Sequence, residues 1–174
     1  MKNKLKIIIL SASLFLAGLV HAQQAKVDID FMVGASIPEL YHFGVGVHYM
    51  PNGRLDFIFG SDFKNNDNGV LYAGTINHAY YLGKVNPKGT KKLLSINTGF
   101  SFLIEQTEEV KSTSAYLNLF FAREFPVTKS IFIQPELGAS YFLFENLVDK
   151  DNVVTKRNRT RIIPKLGLNL VIRI

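Results

Sequence analysis

The chain has 174 residues, with 20 Lys and Arg against 14 Asp and Glu, and it contains neither cysteine nor tryptophan. Its length suits one domain, and the lack of cysteine excludes both a disulfide framework and a cysteine-linked lipid anchor. Three of the basic residues lie within the first six positions, so the rest carries 17 basic against 14 acidic side chains. A chain so nearly balanced in charge is a poor candidate for binding nucleic acid.

The first segment, MKNKLKIIILSASLFLAGLVHA, has the parts of a secretory signal peptide. Three lysines give a basic start, residues 7–20 form an apolar run, and a small-x-small pattern ends at Ala22. The apolar run is shorter than the ~20 residues that a membrane-spanning helix needs. We therefore predict a signal peptide over 1–22 and an exported domain over 23–174.

Eight later segments alternate between apolar and polar residues, separated by turn-rich stretches such as PNG and KNNDNG. They are 26–35, 40–50, 54–63, 70–82, 92–104, 113–125, 131–144 and 161–174. Each segment reaches the roughly nine to eleven residues of a tilted membrane strand, and no later run is apolar for long enough to make a membrane helix. This pattern predicts an all-β, eight-stranded, antiparallel up-and-down transmembrane β-barrel.

The two faces of these segments indicate which side meets lipid. One face is bulky and nearly free of charge, as in Tyr41, Phe43, Val45, Val47 and Tyr49. The other is small and polar, as in Ser95, Asn97, Gly99 and Ser101. Small residues suit an eight-stranded barrel, whose interior has room for little more than its own side chains. We therefore expect the bulky face to meet lipid and the polar face to fill a lumen without a general pore.

The second hairpin predicts which interior residues meet. A three-residue loop at Pro51-Asn52-Gly53, with Gly53 in the left-handed region, gives a register in which paired residue numbers sum to 104. This register places His48 opposite Asp56 and His42 opposite Asp62.

These His–Asp pairs have a catalytic and a structural interpretation. A carboxylate orients the imidazole of a general base, which makes His42 and Asp62 weak catalytic candidates for a lipid acyl hydrolase or transferase. Enclosed polar groups also need partners, and a His–Asp pair satisfies both of its members. We favour the structural interpretation. We predict neither a cofactor nor a metal, because no third ligand stands at zinc spacing.

Other charges are expected to extend this lumenal network. Asp28 and Asp30 begin the first strand and Arg173 ends the last, so barrel closure predicts a salt bridge between them. Glu136 and Lys165 are further expected members.

The last long connection carries a basic cluster of Lys156, Arg157, Arg159 and Arg161 at the predicted outer rim. Arginine and lysine bind phosphate well, so these four residues are candidates for contact with lipopolysaccharide. A solvated loop kept soluble by its charge is the alternative.

The signal peptide, the eight alternating strands, the PNGR tight turn and the final PKLGLNLVIRI together resemble the small outer-membrane β-barrel proteins of the OmpA/OmpX-like, porin-like group. The resemblance covers essentially all of 23–174 and concerns architecture, since the group shares a pattern rather than a catalytic motif.

The resemblance implies a Gram-negative outer-membrane location, insertion by the barrel-assembly machinery, contact with outer-membrane lipid and lipopolysaccharide, and a structural or interaction role with a possible envelope protein partner. A lipid A-modifying barrel enzyme, a narrow channel and a soluble periplasmic lipocalin-like barrel are the alternatives.

Overall fold

The computed structural model describes residues 28–37, 39–62, 70–82, 93–107, 110–149, 154–157 and 161–174. The predicted signal peptide and Arg159 lie outside these residues. The strands are β1 (Ile29–Ile37), β2 (Leu40–Met50), β3 (Gly53–Ser61), β4 (Val70–Tyr81), β5 (Leu94–Gln106), β6 (Val110–Arg123), β7 (Phe125–Pro126), β8 (Ile131–Asp149), β9 (Val154–Arg157) and β10 (Ile162–Arg173). None of the described residues belongs to a helix that is long and apolar enough to span a membrane.

Eight of these strands form a closed antiparallel barrel, which confirms the predicted fold class. Neighbours in the chain pair from β1 to β6, β6 pairs with β8, β8 with β10, and β10 returns to β1. This closing seam runs from Asp30 opposite Arg173 to Ile37 opposite Leu166. The short strands β7 and β9 both pair with β8. We call the end that contains Asp30 and Arg173 the terminal end, and the other the distal end.

The structure extends one predicted segment well beyond its expected limit. β8 continues to Asp149, and its last part pairs with the start of β6 and with β9. An irregularity between Ala115 and Tyr116 shifts the β6–β8 register at the base of this extension. The connection between the last two predicted segments, residues 145–160, therefore begins as a β-ribbon.

Two prolines lie where the hydrogen-bonded ladder is interrupted. Pro164 is opposite Ala139 on β8, but β1 does not reach it, because the seam stops at Leu166. Pro135 faces the gap between the β6–β8 ladder, which ends at Ala122, and the β7–β8 ladder, which begins at Phe125. Since proline has no N–H to donate, both positions avoid an unmatched carbonyl on the neighbouring strand.

Side chains alternate between the lumen and the outer surface with apolar groups outside. Tyr41 and Phe43 are 61% and 59% exposed, whereas Asn97 and Ser101 on the inner face are almost fully buried. The largest fully buried side chains include Arg54, Lys165, Gln134, Glu39 and Glu124. The barrel thus has a polar inside and an apolar outside.

The register of β2 and β3 differs by two residues from the predicted one. His42 lies opposite Gly60 and His48 opposite Arg54, so paired numbers sum to 102. Pro51 and Asn52 form the turn, an irregularity follows His48, and Gly53 begins β3 instead of holding a left-handed turn position. The prediction that His48 lies opposite Asp56 and His42 opposite Asp62 is therefore wrong.

Lumenal packing explains why this register is adopted. A shift of two residues keeps each side chain on its face, so alternation alone cannot distinguish the two registers. The observed one sets Gly46 beside Arg54 and Asp56, where an added Cβ would lie 2.6 Å from Asp56 Oδ1 and 2.9 Å from Arg54 Cδ. Gly46 thus makes room for two buried charged side chains.

Engineered cysteines can report this register, because the chain has none of its own. Val45 faces Phe57 in the structure, whereas Val47 would face Phe57 in the predicted register. We expect Val45→Cys/Phe57→Cys to form a disulfide readily on oxidation and the matched Val47→Cys/Phe57→Cys pair to form it poorly, because diagonal neighbours lie too far apart to bridge. Gel mobility without reductant measures both, and the reverse order would restore the predicted register.

Candidate functional site

The lumen near the terminal end holds a group of interacting polar side chains that we call the terminal cluster. It draws on five strands and on the junction between β6 and β7. Its members are Asp30, His48, Arg54, Asp56, Tyr81, Glu124 and Arg173.

Asp30 is the centre of the terminal cluster and is fully buried. Arg173 contacts it in a bidentate manner across the seam, with Nε 2.7 Å from Oδ1 and Nη2 2.8 Å from Oδ2. Arg54 Nη1 and His48 Nε2 also donate to Oδ2, each at 2.8 Å. The salt bridge that the sequence predicts across this seam is formed between Arg173 and Asp30. Asp28 is half-buried just before β1.

Arg54 links three carboxylates and is 1% exposed. Its Nη1 donates to Asp30 and to Glu124, and its Nη2 donates to Asp56 Oδ2 at 3.2 Å. Nε lies 2.6 Å from Asp56 Oδ1, but the two do not form a well-aligned hydrogen bond. The sequence analysis missed Arg54, although it shares the inward face of β3 with Asp56.

Glu124 enters the lumen at the interruption opposite Pro135. It accepts from Tyr81 Oη at 2.6 Å, and Arg173 Nη2 lies 3.0 Å from both of its oxygens. The break in the ladder therefore places a carboxylate where two arginines and a tyrosine can reach it.

A second group of interacting residues, the distal cluster, lies nearer the other end of the lumen. Its titratable members are Glu39, His42, Glu136 and Lys165, and its other polar members are Ser36, Thr75, Ser101 and Asn169.

Glu39 belongs to the turn between β1 and β2 and was not predicted to face the lumen. The next residue, Leu40, has a φ of 57°, in the left-handed region that is rare for a leucine. An added Cβ on Gly60 would lie 2.1 Å from the backbone oxygen of Glu39, so Gly60 allows the turn to pass inward. Glu39 is 1% exposed as a result.

The inward turn is held by hydrogen bonds to its carboxylate. Lys165 Nζ lies 2.8 and 2.7 Å from the two Glu39 oxygens, and the hydroxyls of Ser36 and Ser101 each donate to one of them at 2.9 Å. Lys165 Nζ is also 3.9 Å from Glu136 Oε2. Lys165 therefore lies between two carboxylates.

His42 is held through both of its ring nitrogens. Nε2 lies 2.6 Å from Asn169 Oδ1, and Asn169 Nδ2 donates to Glu136 at 2.7 Å. The other nitrogen, Nδ1, lies 3.1 Å from the Leu40 carbonyl oxygen and 3.3 Å from the Ser36 hydroxyl, which donates its proton to Glu39. The imidazole is therefore fixed in its orientation within the distal cluster.

In each cluster the carboxylates outnumber the arginines and lysines by one. The terminal cluster has three carboxylates and two arginines beside His48, and the distal cluster has two carboxylates and Lys165 beside His42. A buried group of charges is stable only when its members are matched and hydrogen-bonded.

The predicted catalytic pair is not formed. Asp62 lies at the end of β3, where its backbone N–H donates to the Leu71 carbonyl and its Oδ1 accepts the Leu71 N–H at 3.3 Å. His42 instead contacts Ser36, Leu40 and Asn169. Both ring nitrogens of His42 are thus engaged by residues other than the predicted carboxylate partner.

The structure describes only part of the predicted basic cluster. Arg161 is exposed just before β10, and the backbones of Lys156 and Arg157 lie in β9. Across the described ranges, no three His, Cys, Asp or Glu side chains are grouped so that they could hold a metal ion.

Removing Arg54 should strongly destabilise the barrel. We expect Arg54→Met to lower the free energy of unfolding by about 3–5 kcal/mol, because three buried carboxylates lose their shared cation. Arg123→Met is the matched control, since it also removes one arginine, but an exposed one that packs over the Phe125 ring at 5.0 Å. The control should lose less than about 1 kcal/mol. Denaturant titration in lipid vesicles measures both, and equal losses would contradict the role of Arg54.

Comparison with known proteins supports the fold. No family model and no curated protein matches the chain. Among solved structures, the N-terminal β-barrel domain of Pseudomonas aeruginosa OprF is similar, with a TM-score of 0.55 and 11% identity over 85% of this chain and 96% of that one. A major outer membrane protein from Thermus thermophilus has a TM-score of 0.52 and 12% identity, covering 85% and 99%. These identities show the fold alone, and it is that of the small outer-membrane barrels that the sequence resembles.

Proposed function

We propose that this chain is an integral outer-membrane protein of a Gram-negative envelope, with a structural or interaction role and no general pore. One observation carries the proposal: charged side chains such as Arg54, Lys165 and Glu39 lie inside the barrel, and most of its large apolar side chains lie outside. Water would favour the opposite arrangement, whereas lipid favours this one.

The outer surface supports the proposal through its aromatic residues. Tyr41 and Tyr49 bracket the centre of β2, and Tyr72 and Tyr80 have the same spacing on β4. Eight residues at about 3.3 Å each, tilted by about 40°, separate the two tyrosines of each strand by about 20 Å. That height is close to the apolar band of an outer membrane.

The filled lumen supports the absence of a general pore. The terminal and distal clusters occupy its two ends, and between them lie amides that are at most 1% exposed, namely Asn77, Asn97, Asn118 and Gln134. An interior packed with side chains leaves little space for solute.

The same features argue against two alternatives. A soluble ligand-binding barrel would need an apolar interior, whereas here the interior holds Arg54, Lys165 and Glu39. A lipid A-modifying enzyme built on His42 and Asp62 loses its support, because His42 lies opposite Gly60 in the observed register.

The distal extension is the part that we assign to interaction. The β8–β9 ribbon continues past the end of β1, and the basic residues Lys156, Arg157, Arg159 and Arg161 belong to this region of the chain. Their charge suits the phosphates of lipopolysaccharide or an acidic envelope partner. Insertion by the barrel-assembly machinery is part of the same proposal.

Two lysine substitutions on the outer face test the membrane assignment. Phe100→Lys places a charge near the middle of β5 on the apolar face, where it should destabilise the inserted barrel by about 2–4 kcal/mol. Gln106→Lys adds the same charge at the exposed distal end of β5 and should change stability by less than about 1 kcal/mol. Heat-dependent gel mobility of the protein extracted from outer membranes reports the folded barrel.

Two results would oppose the proposal. Recovery of the unmodified protein as a soluble periplasmic species would reject the membrane assignment. Large, stable conductance in planar bilayers would reject the filled lumen.

A further inference from the structure

A pair of adjacent polar side chains interrupts the apolar outer face of β4 and β5. Between Tyr72 and Tyr80, the outward residues of these two strands are apolar except where His78 lies directly opposite Thr98. Residues opposed in this way have Cβ atoms about 4.5–5.5 Å apart. His78 is half-exposed and Thr98 is exposed, so both side chains reach the surface that we assign to lipid.

The pair lies within the acyl-chain region of the proposed membrane. His78 is three residues inside the end of β4 at Tyr81, which is about 8 Å at about 3.3 Å per residue and a tilt of about 40°. Leu55 and Leu119 flank the pair on the neighbouring strands β3 and β6. A polar group that faces acyl chains without a partner is unfavourable, so polar residues at this depth mark functional contacts.

Tyr49 orients His78 for such a contact. Its hydroxyl and His78 Nε2 form a hydrogen bond, and the centres of the two rings are 5.8 Å apart. Tyr49 reaches β4 across β3 because Gly53 has no side chain, and an added Cβ there would lie 3.0 Å from Tyr49 Oη. The hydrogen bond leaves His78 Nδ1 available, and within the described ranges neither Nδ1 nor the Thr98 hydroxyl makes a hydrogen bond.

The two available groups are complementary to a second copy of themselves. A neutral imidazole nitrogen either donates or accepts a hydrogen bond, and a hydroxyl can do both. The Thr98 hydroxyl can therefore bond to His78 Nδ1 in either tautomer. In a dimer whose two-fold axis lies along the membrane normal and passes between β4 and β5, His78 of each copy meets Thr98 of the partner subunit.

We propose that this pair is the centre of a homodimer contact in the membrane. The β4–β5 face binds a second copy of this chain through two symmetric His78–Thr98 hydrogen bonds. Apolar neighbours such as Ile76 and Leu119 add little preference for the dimer, because lipid tails are as apolar as leucine. The polar pair therefore decides between association and contact with lipid. This inference rests on the proposed membrane location and adds a partner to the structural or interaction role.

Energy transfer between labelled copies measures this association. The chain has no cysteine, so Lys129→Cys, in the exposed segment before β8, provides a single labelling site. Donor-labelled and acceptor-labelled protein are mixed in phosphatidylcholine vesicles, and the protein is then diluted by adding lipid. Energy transfer above the level of random encounters gives the dimer dissociation constant. Heat-dependent gel mobility shows that each variant is folded.

We expect Thr98→Val and His78→Leu each to weaken the dimer about tenfold, because each removes both symmetric hydrogen bonds. Thr113→Val is the matched control, since it removes the same hydroxyl from β6 near the distal end and should leave the dissociation constant unchanged. The exchange variant His78→Thr/Thr98→His keeps a complementary pair on the two strands. It should therefore dimerise more tightly than Thr98→Val or His78→Leu.

The outcomes separate the dimer from the membrane assignment. Energy transfer at the random level in the folded, inserted protein overturns the dimer and indicates that the pair faces lipid, while the membrane location stands. An unchanged dissociation constant in Thr98→Val also overturns the proposal, since association would then use another surface. Failure of the unmodified protein to insert into vesicles overturns the membrane location and the dimer together.

Discussion

The buried carboxylate of Asp30 is the interaction on which the barrel's organisation depends. It accepts hydrogen bonds from Arg173 on β10, Arg54 on β3 and His48 on β2, so it joins the seam to the neighbouring wall. Because a buried charge without partners is strongly unfavourable, these contacts constrain which strands are adjacent and in what register. Polar pairing in the lumen thus helps to determine the order and register of the strands, while the outer face provides a bulky apolar surface.

Irregular backbone supplies the lumen with its charges. Glu124 comes from the break between β6 and β7 opposite Pro135, and Glu39 comes from a turn that requires a left-handed Leu40 and a side-chain-free Gly60. Each departure from regular pairing places a carboxylate beside a lysine or an arginine. Local backbone strain at Leu40 is thus compensated by the hydrogen bonds that Glu39 gains.

The sequence allowed the strands and their faces to be predicted, because alternation has a period of two and the segments were long. It did not allow the β2–β3 register to be predicted, since a shift of two preserves every face and only the packing of Arg54 and Asp56 beside Gly46 distinguishes the alternatives. Glu39 was missed for another reason: it stands in a turn, where alternation carries no information about direction.

The last strand contributes a cation to each cluster, Arg173 at the terminal end and Lys165 at the distal end. Before β10 docks, each cluster lacks one of its cations, so an incomplete wall encloses carboxylates that are short of partners in two places. Arrival of β10 supplies both cations at once while it closes the ring. A truncated or stalled barrel therefore carries an unfavourable electrostatic free energy that the finished barrel does not.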